Sequence, residues 1–163
     1  MFKHLQKEHT EWADRHSARL TPVLASLGVL EEACELLRAA AKLAVWDVRE
    51  AVVRYTREQL LAMYSDAVGD CAIYCLSRCT ALDVDFRTAV RHAGMPPKSE
   101  PPLATCCRVL DAAWGIVEAP QDRLAVVWVL SALQDAAVAA GVSFESCVLD
   151  AWAVVRERSP DRP

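Results

Sequence analysis

Glu31, Glu32 and Glu35 stand together inside a stretch otherwise built from Leu, Ala and Cys, and Asp66 and Asp70 stand inside a second stretch of the same kind. On a helix, at about 100° per residue, Glu32 and Glu35 lie about 60° apart and Glu31 sits beside Glu35. Asp66 and Asp70 are one turn apart. Each segment therefore offers a carboxylate pair on one face. Like charges at that spacing repel, and burying them uncompensated is costly. A hard divalent cation answers both difficulties, because Mg²⁺ takes oxygen ligands and accepts a few carboxylates alongside water and phosphate oxygens. Bundle cores hold metals between facing acidic helices in this manner. Taken singly, each cluster also reads as a solvated helix face; the two together favour the metal.

The segments that must position these acids read as helices. Five glycines in 163 residues, and prolines gathered mainly at Pro96–Pro102 and in the Ser-Pro-Asp-Arg-Pro tail, leave long windows free of breakers. Phe2 to about Ser17 is a polar first helix anchored by Leu5 and Trp12. Pro22 suits a helix start, and Val23, Leu27, Leu30, Cys34, Leu37 and Ala41 follow at three- and four-residue steps. Ala44 to Thr56, with its alternating charges, reads as a short helix or a loop. Arg57 to Ala81 is a strong helix with Leu60, Tyr64, Val68, Cys71, Cys75 and Cys79 on one face, and Asp85 N-caps a short helix ending near Gly94. After a stiff Met95–Pro102 linker, Leu103–Glu118, Arg123–Ala140 and Phe144–Arg158 are helical. No strand alternation of any length appears, so the expected fold is an all-α helical bundle. Its expected organisation is a unit at 1–94 carrying the acids, a linker at 95–102, and a second helical unit at 103–163 packed on the first.

Composition narrows the function classes. A formal charge of −4 without a basic run disfavours binding of a nucleic-acid polymer. No 18-residue apolar run and no signal-peptide core are present, which predicts a cytoplasmic protein without membrane partners. Seven cysteines is an odd count, expected as thiols in that compartment. The stripe Cys71, Cys75, Cys79 suits small buried hydrophobes; a soft-metal site there would lack a fourth ligand at suitable spacing. His4 and His9 have no evident partner and are expected at the surface.

The phrase Leu-Gly-Val-Leu-Glu-Glu-Ala-Cys-Glu-Leu-Leu, then Asp-Ala-Val-Gly-Asp-Cys-Ala-Ile-Tyr-Cys-Leu, resembles the MazG-like superfamily of all-α nucleoside triphosphate pyrophosphohydrolases. That family's signature is a Glu-Glu-x-x-Glu helix followed by a helix bearing Glu-x-x-Asp or a variant. Upstream, Lys-His-Leu-Gln-Lys-Glu-His-Thr-Glu-Trp is similar to the N-terminal segment of one branch, and the resemblance covers roughly residues 1–93. The chain departs from the pattern at Ala67, where the family often has Glu, with Asp66 as the available substitute. The Asn that often follows is replaced in the neighbourhood of Cys79 and Thr80.

The resemblance implies attack of water on a nucleoside triphosphate, giving monophosphate and pyrophosphate, with Mg²⁺ as cofactor and Mn²⁺ as an alternative. Carried over, Glu32, Glu35 and Asp70 are expected metal ligands. Glu31 and Asp66 are expected as further ligands or as groups orienting the water, so Glu31, Glu35 and Asp66 carry the catalytic expectation. Lys42, two turns past Glu35, is placed to meet a phosphate, or is simply a lysine favoured near a helix C-terminus. Trp12 and His16 are candidates for contacting a base, Trp12 having a core role as its alternative. A metal- or nucleotide-binding module with little turnover, serving regulation or assembly, is the competing class.

An internal comparison adds an expectation about the second unit. Val29–Ala39 aligns with Val109–Ala119, Ala67–Asp70 with Ala125–Trp128, and Ala81–Phe86 with Ala139–Phe144, keeping the apolar frame while Glu32 becomes Ala112 and Glu35 becomes Gly115. Chance matching of Ala/Val/Leu helices is the competing explanation. A degenerate repeat would make a pseudo-dimer in cis, with Trp114 and Trp128 filling the volume of the lost acids; further association as a homodimer is allowed and not required.

Overall fold

The computed structural model describes residue 2 and residues 4–16, 21–49, 54–94 and 100–157. Windows free of breakers become helix throughout: α1 (Leu5–Arg15), α2 (Pro22–Arg49), α3 (Arg57–Ala81), α4 (Phe86–Ala93), α5 (Pro102–Glu118), α6 (Ala125–Ala140) and α7 (Phe144–Glu157). Among the described residues there is no strand, and the fold is an all-α bundle. None of these helices is long and apolar enough to cross a membrane. Helix α2 runs without a break through Ala44 to Arg49, where the alternating charges left helix and loop open. Residues 50–53, and most of the linker at 95–99, lie outside the described residues, as does Arg158. Pro102 is already the first residue of α5. Local chemistry sets the starts. Thr56 and Gln59 close a capping box on α3. Asp85 accepts the Thr88 N–H to cap α4.

Helix α2 buries a different face from the one its periodicity suggested. Val23, Leu27, Cys34 and Ala41 are exposed and Leu30 and Leu37 half-buried, while Ala25, Val29, Ala33, Leu36, Ala40 and Leu43 form the core stripe. Small residues let a neighbouring helix come close, so the alanine side wins over the side with the larger spaced residues. The approach is tight at Gly28, where an added Cβ would lie 2.2 Å from the Tyr74 ring. The expected face of α3 is fully buried, Leu60 to Cys79 included, and Cys71, Cys75 and Cys79 are free thiols packed as hydrophobes.

The hairpin α2–α3 is antiparallel: Asp47 pairs with Arg57 at the loop end (3.7 Å) and Ser26 Oγ accepts from Arg78 at the other. The pairs α2–α3, α3–α6, α6–α5 and α5–α2 close a ring of four helices, with α7 laid on α3 and α4 on α6. That scheme is unchanged when α2, α3 and α4 exchange with α5, α6 and α7. Matched positions are buried alike: Val29 and Val109, Ala33 and Ala113, Leu36 and Ile116 are all inaccessible. The turns match as well. Asp83 (φ 53°) and Gly141 (φ 72°) both take the left-handed conformation. Val84 N–H donates to Cys79 O at 2.8 Å, as Val142 N–H does to Ala137 O at 2.9 Å. Phe2 then packs edge-on to both Phe86 and Phe144, the first residues of α4 and α7. Trp114 and Trp128 do not fill a core volume as expected; they are 54% and 72% exposed.

Two buried polar groups join distant elements. Arg78 is inaccessible and donates to the carbonyls of Pro120 (2.9 Å), Ala119 (3.2 Å) and Asp122 (2.8 Å), pinning the α5–α6 turn to α3. His9 was expected at the surface but is only 2% exposed, its Nε2 3.0 Å from Ser77 Oγ. Its stripe-mates Leu5 and Ala13 are buried with it, because α1 lies on α3 at one-turn intervals.

Candidate functional site

The facing sides of α2 and α3 open into a pocket of about 130 Å³ lined by Glu32, Glu35, Arg38, Ala39, Lys42, Met63, Asp66, Ala67 and Asp70. On α2 the steps from Glu32 through Glu35, Ala39 and Lys42 are three, four and three; on α3 Met63 is followed three, four and seven residues on by Asp66, Ala67 and Asp70. One continuous face of each helix therefore supplies the whole wall. The antiparallel hairpin sets those two faces opposite each other, and the acids that were two clusters in sequence become one.

Electrostatics register the convergence. Burial first, and then the charges of Asp70, Glu35, Glu31 and Asp66 in that order, together push the Glu32 carboxyl up to about 7. Four acids on two helices thus act on Glu32. Glu32 and Asp70 are half-buried, whereas Glu35 and Asp66 are exposed at the rim. Glu31 is exposed and does not line the pocket, reaching it only through its charge. Ala67, at the position where Glu was the expected residue, is buried and forms part of the wall, with Asp66 and Asp70 one turn apart beside it.

The other end of the same face of α2 is basic. Lys42 lines the pocket as its position suggested, and Arg38, one turn earlier, lines it too. Arg38 escaped the sequence reading, although its three-residue step from Glu35 and four-residue step to Lys42 were there to be read. The Lys42 Nζ stands 5.2 Å from the centre of the Tyr55 ring. From Glu32 to Lys42 the helix advances about 15 Å, passing from carboxylates to cations along one wall.

Trp12 and His16, candidates for base contact, do not line this pocket. Their rings stack on each other at 4.7 Å, and Trp12 meets Trp152 of α7 edge-on at 6.3 Å. Trp12 is packing between α1 and α7. A separate apolar groove of about 510 Å³ runs between α2 and α5, lined by Leu30, Cys34, Cys107, Leu110, Asp111 and Trp114. It carries a single acid and none of the pocket's carboxylate pairs.

The donor set suits a hard divalent cation: every candidate ligand is a carboxylate oxygen on one of two facing helices, and the mutual repulsion is what such an ion would relieve. Among the described residues, no three His, Cys, Asp or Glu side chains stand together in a coordinating arrangement. Comparison of the chain with protein-family models, with curated proteins and with solved structures finds no match.

Proposed function

We propose that this chain is a Mg²⁺-dependent nucleoside triphosphate pyrophosphohydrolase. The observation that supports this reading is the pocket between α2 and α3, with Glu32, Glu35, Asp66 and Asp70 at one end of its wall and Arg38 and Lys42 at the other. A polyphosphate carries negative charge along its length and needs cations along its length, which is what an acid-held metal followed by two basic side chains provides. Glu32, Glu35, Asp66 and Asp70, which all line the pocket, would hold Mg²⁺, or Mn²⁺ in its place. The ion, when bound, neutralises developing charge and lowers the pKa of a bound water. Glu35 and Asp66 orient the water toward the α-phosphorus, with Glu31 adding negative potential from outside the wall. Water oxygen bonds to that phosphorus as one of its protons passes to Glu35 or Asp66, the α–β phosphoanhydride bond breaks, and its electron pair leaves with pyrophosphate beside Arg38 and Lys42. The unit at 103–163 is, in this reading, a degenerate partner that completes the bundle in cis, with Ala112, Gly115, Leu124 and Trp128 where the first unit has Glu32, Glu35, Asp66 and Asp70.

The test is pyrophosphate release with Mg²⁺ across a panel of nucleoside triphosphates, with Glu35→Gln as control. Release by the parent and its loss in the variant are the expected results. A second reading, a metal- or nucleotide-binding module with little turnover, draws on the buried Ala67 and on the rim positions of Glu35 and Asp66. Mg²⁺-dependent thermal stabilisation without pyrophosphate release from any nucleotide would favour it.

A further inference from the structure

Helix α2 carries apolar residues on two sides, and only one side is in the core. Ala25, Val29, Ala33 and Leu36 are buried. Val23, Leu27, Leu30, Cys34, Leu37 and Ala41 step along the other side by four and three residues in strict alternation, a pattern that runs on to Val48, and all of them are exposed or half-buried. On α5, Leu103, Cys107, Leu110, Trp114 and Val117 repeat the alternation at the positions aligned with Val23 to Leu37, each exposed or half-buried as its counterpart is. A narrow seam of this period is what one helix offers another in a coiled coil; a face that only lines a bundle core is broader. The two seams lie side by side, and all but Asp111 of the residues lining the apolar groove between α2 and α5 belong to them. Across the ring, α7 lies on α3 and α4 on α6, whereas no described helix lies over α2 and α5. Val23 and Leu27 are 49% and 48% exposed, Val48 79%, Leu103 37% and Trp114 54%. With the rest of the two seams they leave roughly 700 Å² uncovered, above the ~300–600 Å² of the largest apolar patch on an ordinary monomer. A standard interface takes about 800 Å² from each partner.

We propose that the outer face of α2 and α5 is where a second copy of this chain docks, with the same face used on both copies. A two-fold contact needs a surface that complements itself. This face offers the same seam twice, and exchanging α2 with α5 leaves its pattern unchanged, so each copy meets in its partner the helix pair that it presents itself. The area left open on one chain is close to what such a contact takes from each partner. The acidic pocket lies on the side of α2 that faces α3 and keeps its access. The pairing therefore stands apart from the nucleotide reading.

The experiment is sedimentation equilibrium of the full chain over a concentration series, with helix content followed by circular dichroism. The parent, Leu27→Lys, Trp114→Lys and Trp128→Lys are compared. Leu27 and Trp114 stand outside the core, so a charge at either leaves the bundle's packing in place. Trp128, 72% exposed on α6, controls for losing an apolar side chain elsewhere on the surface. The parent and Trp128→Lys should show the mass of two chains. Leu27→Lys and Trp114→Lys should show that mass halved, with the helix content of the parent. A parent at the mass of one chain at every concentration would overturn the proposal and leave the face to a helix of another protein. Dissociation by Trp128→Lys, with Leu27→Lys and Trp114→Lys still paired, would overturn it too, by moving the contact to α6.

Discussion

Replacing Glu32 with Gln removes the one charge in the pocket that its surroundings oppose most. Burial, followed by Asp70, Glu35, Glu31 and Asp66, raises this group from 4.5 to about 7. A folded-state value above the unfolded one means that the folded chain holds the proton more tightly. Stability from that proton is complete below the unfolded value, drains as pH rises, and is gone above the folded value near 7. At about 1.4 kcal/mol per unit the whole shift comes to about 3 kcal/mol. The side chain is only half-buried, and solvent screening reduces the figure to about 1 kcal/mol. For a chain of this size that is roughly 2–4 °C in Tm. Metal-free Glu32→Gln should therefore melt roughly 2–4 °C above the parent at about pH 8, the gap closing as pH falls toward 4.5. His9 titrates in the overlapping window with the opposite sign: burial lowers it from 6.5 to about 4, so its contribution is lost as pH falls. Taking the difference between the two proteins cancels it. Calorimetric scans in chelator across this range make the measurement. Added Mg²⁺ should raise the parent's Tm and not the variant's. Equal melting at the alkaline end, or an offset that ignores pH, would refute the account of a carboxylate cluster under mutual repulsion.

Asp66→Ala should lower kcat for pyrophosphate release at least tenfold, about 1.4 kcal/mol of barrier, because Ala67 supplies no oxygen in its place; activity near the parent's would reduce the site to three carboxylates. Arg78→Met leaves the carbonyls of Ala119, Pro120 and Asp122 without their buried donor. At about 1–3 kcal/mol for each of the three unsatisfied groups, a loss of about 3–9 kcal/mol should appear in the denaturant midpoint. The glycines divide by their surroundings: a Cβ on Gly69 would lie 2.3 Å from Cys147 O, whereas one on Gly115 meets nothing within 4 Å. Gly69→Ala should cost about 1–3 kcal/mol by forcing α3 from α7, and Gly115→Ala should add about 1 kcal/mol through helix propensity. Thermal melts of the pair check both signs.

The acidic wall was legible because ligand-like residues betray themselves by type inside an apolar frame. Lys42 followed from its distance along the same helix, and Arg38, one turn before it, was open to the same reasoning but was not singled out, because a lone basic residue on a helix ordinarily marks a solvated face. The buried face of α2 was misread for a physical reason: spaced large residues mark one stripe, yet closely approaching helices prefer Ala25, Val29, Ala33 and Ala40. His9 could not be placed from sequence, since its hydrogen-bond partner Ser77 is 68 residues away. Trp114 and Trp128 show the converse, for large apolar residues are free to sit at the surface. Tyr55 gave no signal at all; only the fold brings it over Lys42.

The exchange of α2–α4 with α5–α7 has a consequence for how this molecule can change. A self-complementary pair of identical chains must write every residue twice, so an acid in one groove appears in the other. Here both halves of the arrangement belong to one chain, and each groove is altered by its own codons. Asp66 and Asp70 stand where Leu124 and Trp128 stand in the matching hairpin, while Val29 and Val109 keep the shared packing. An occupant of the acidic pocket would thus have no equal among the described residues, and a lone chain would take it up along a simple hyperbola.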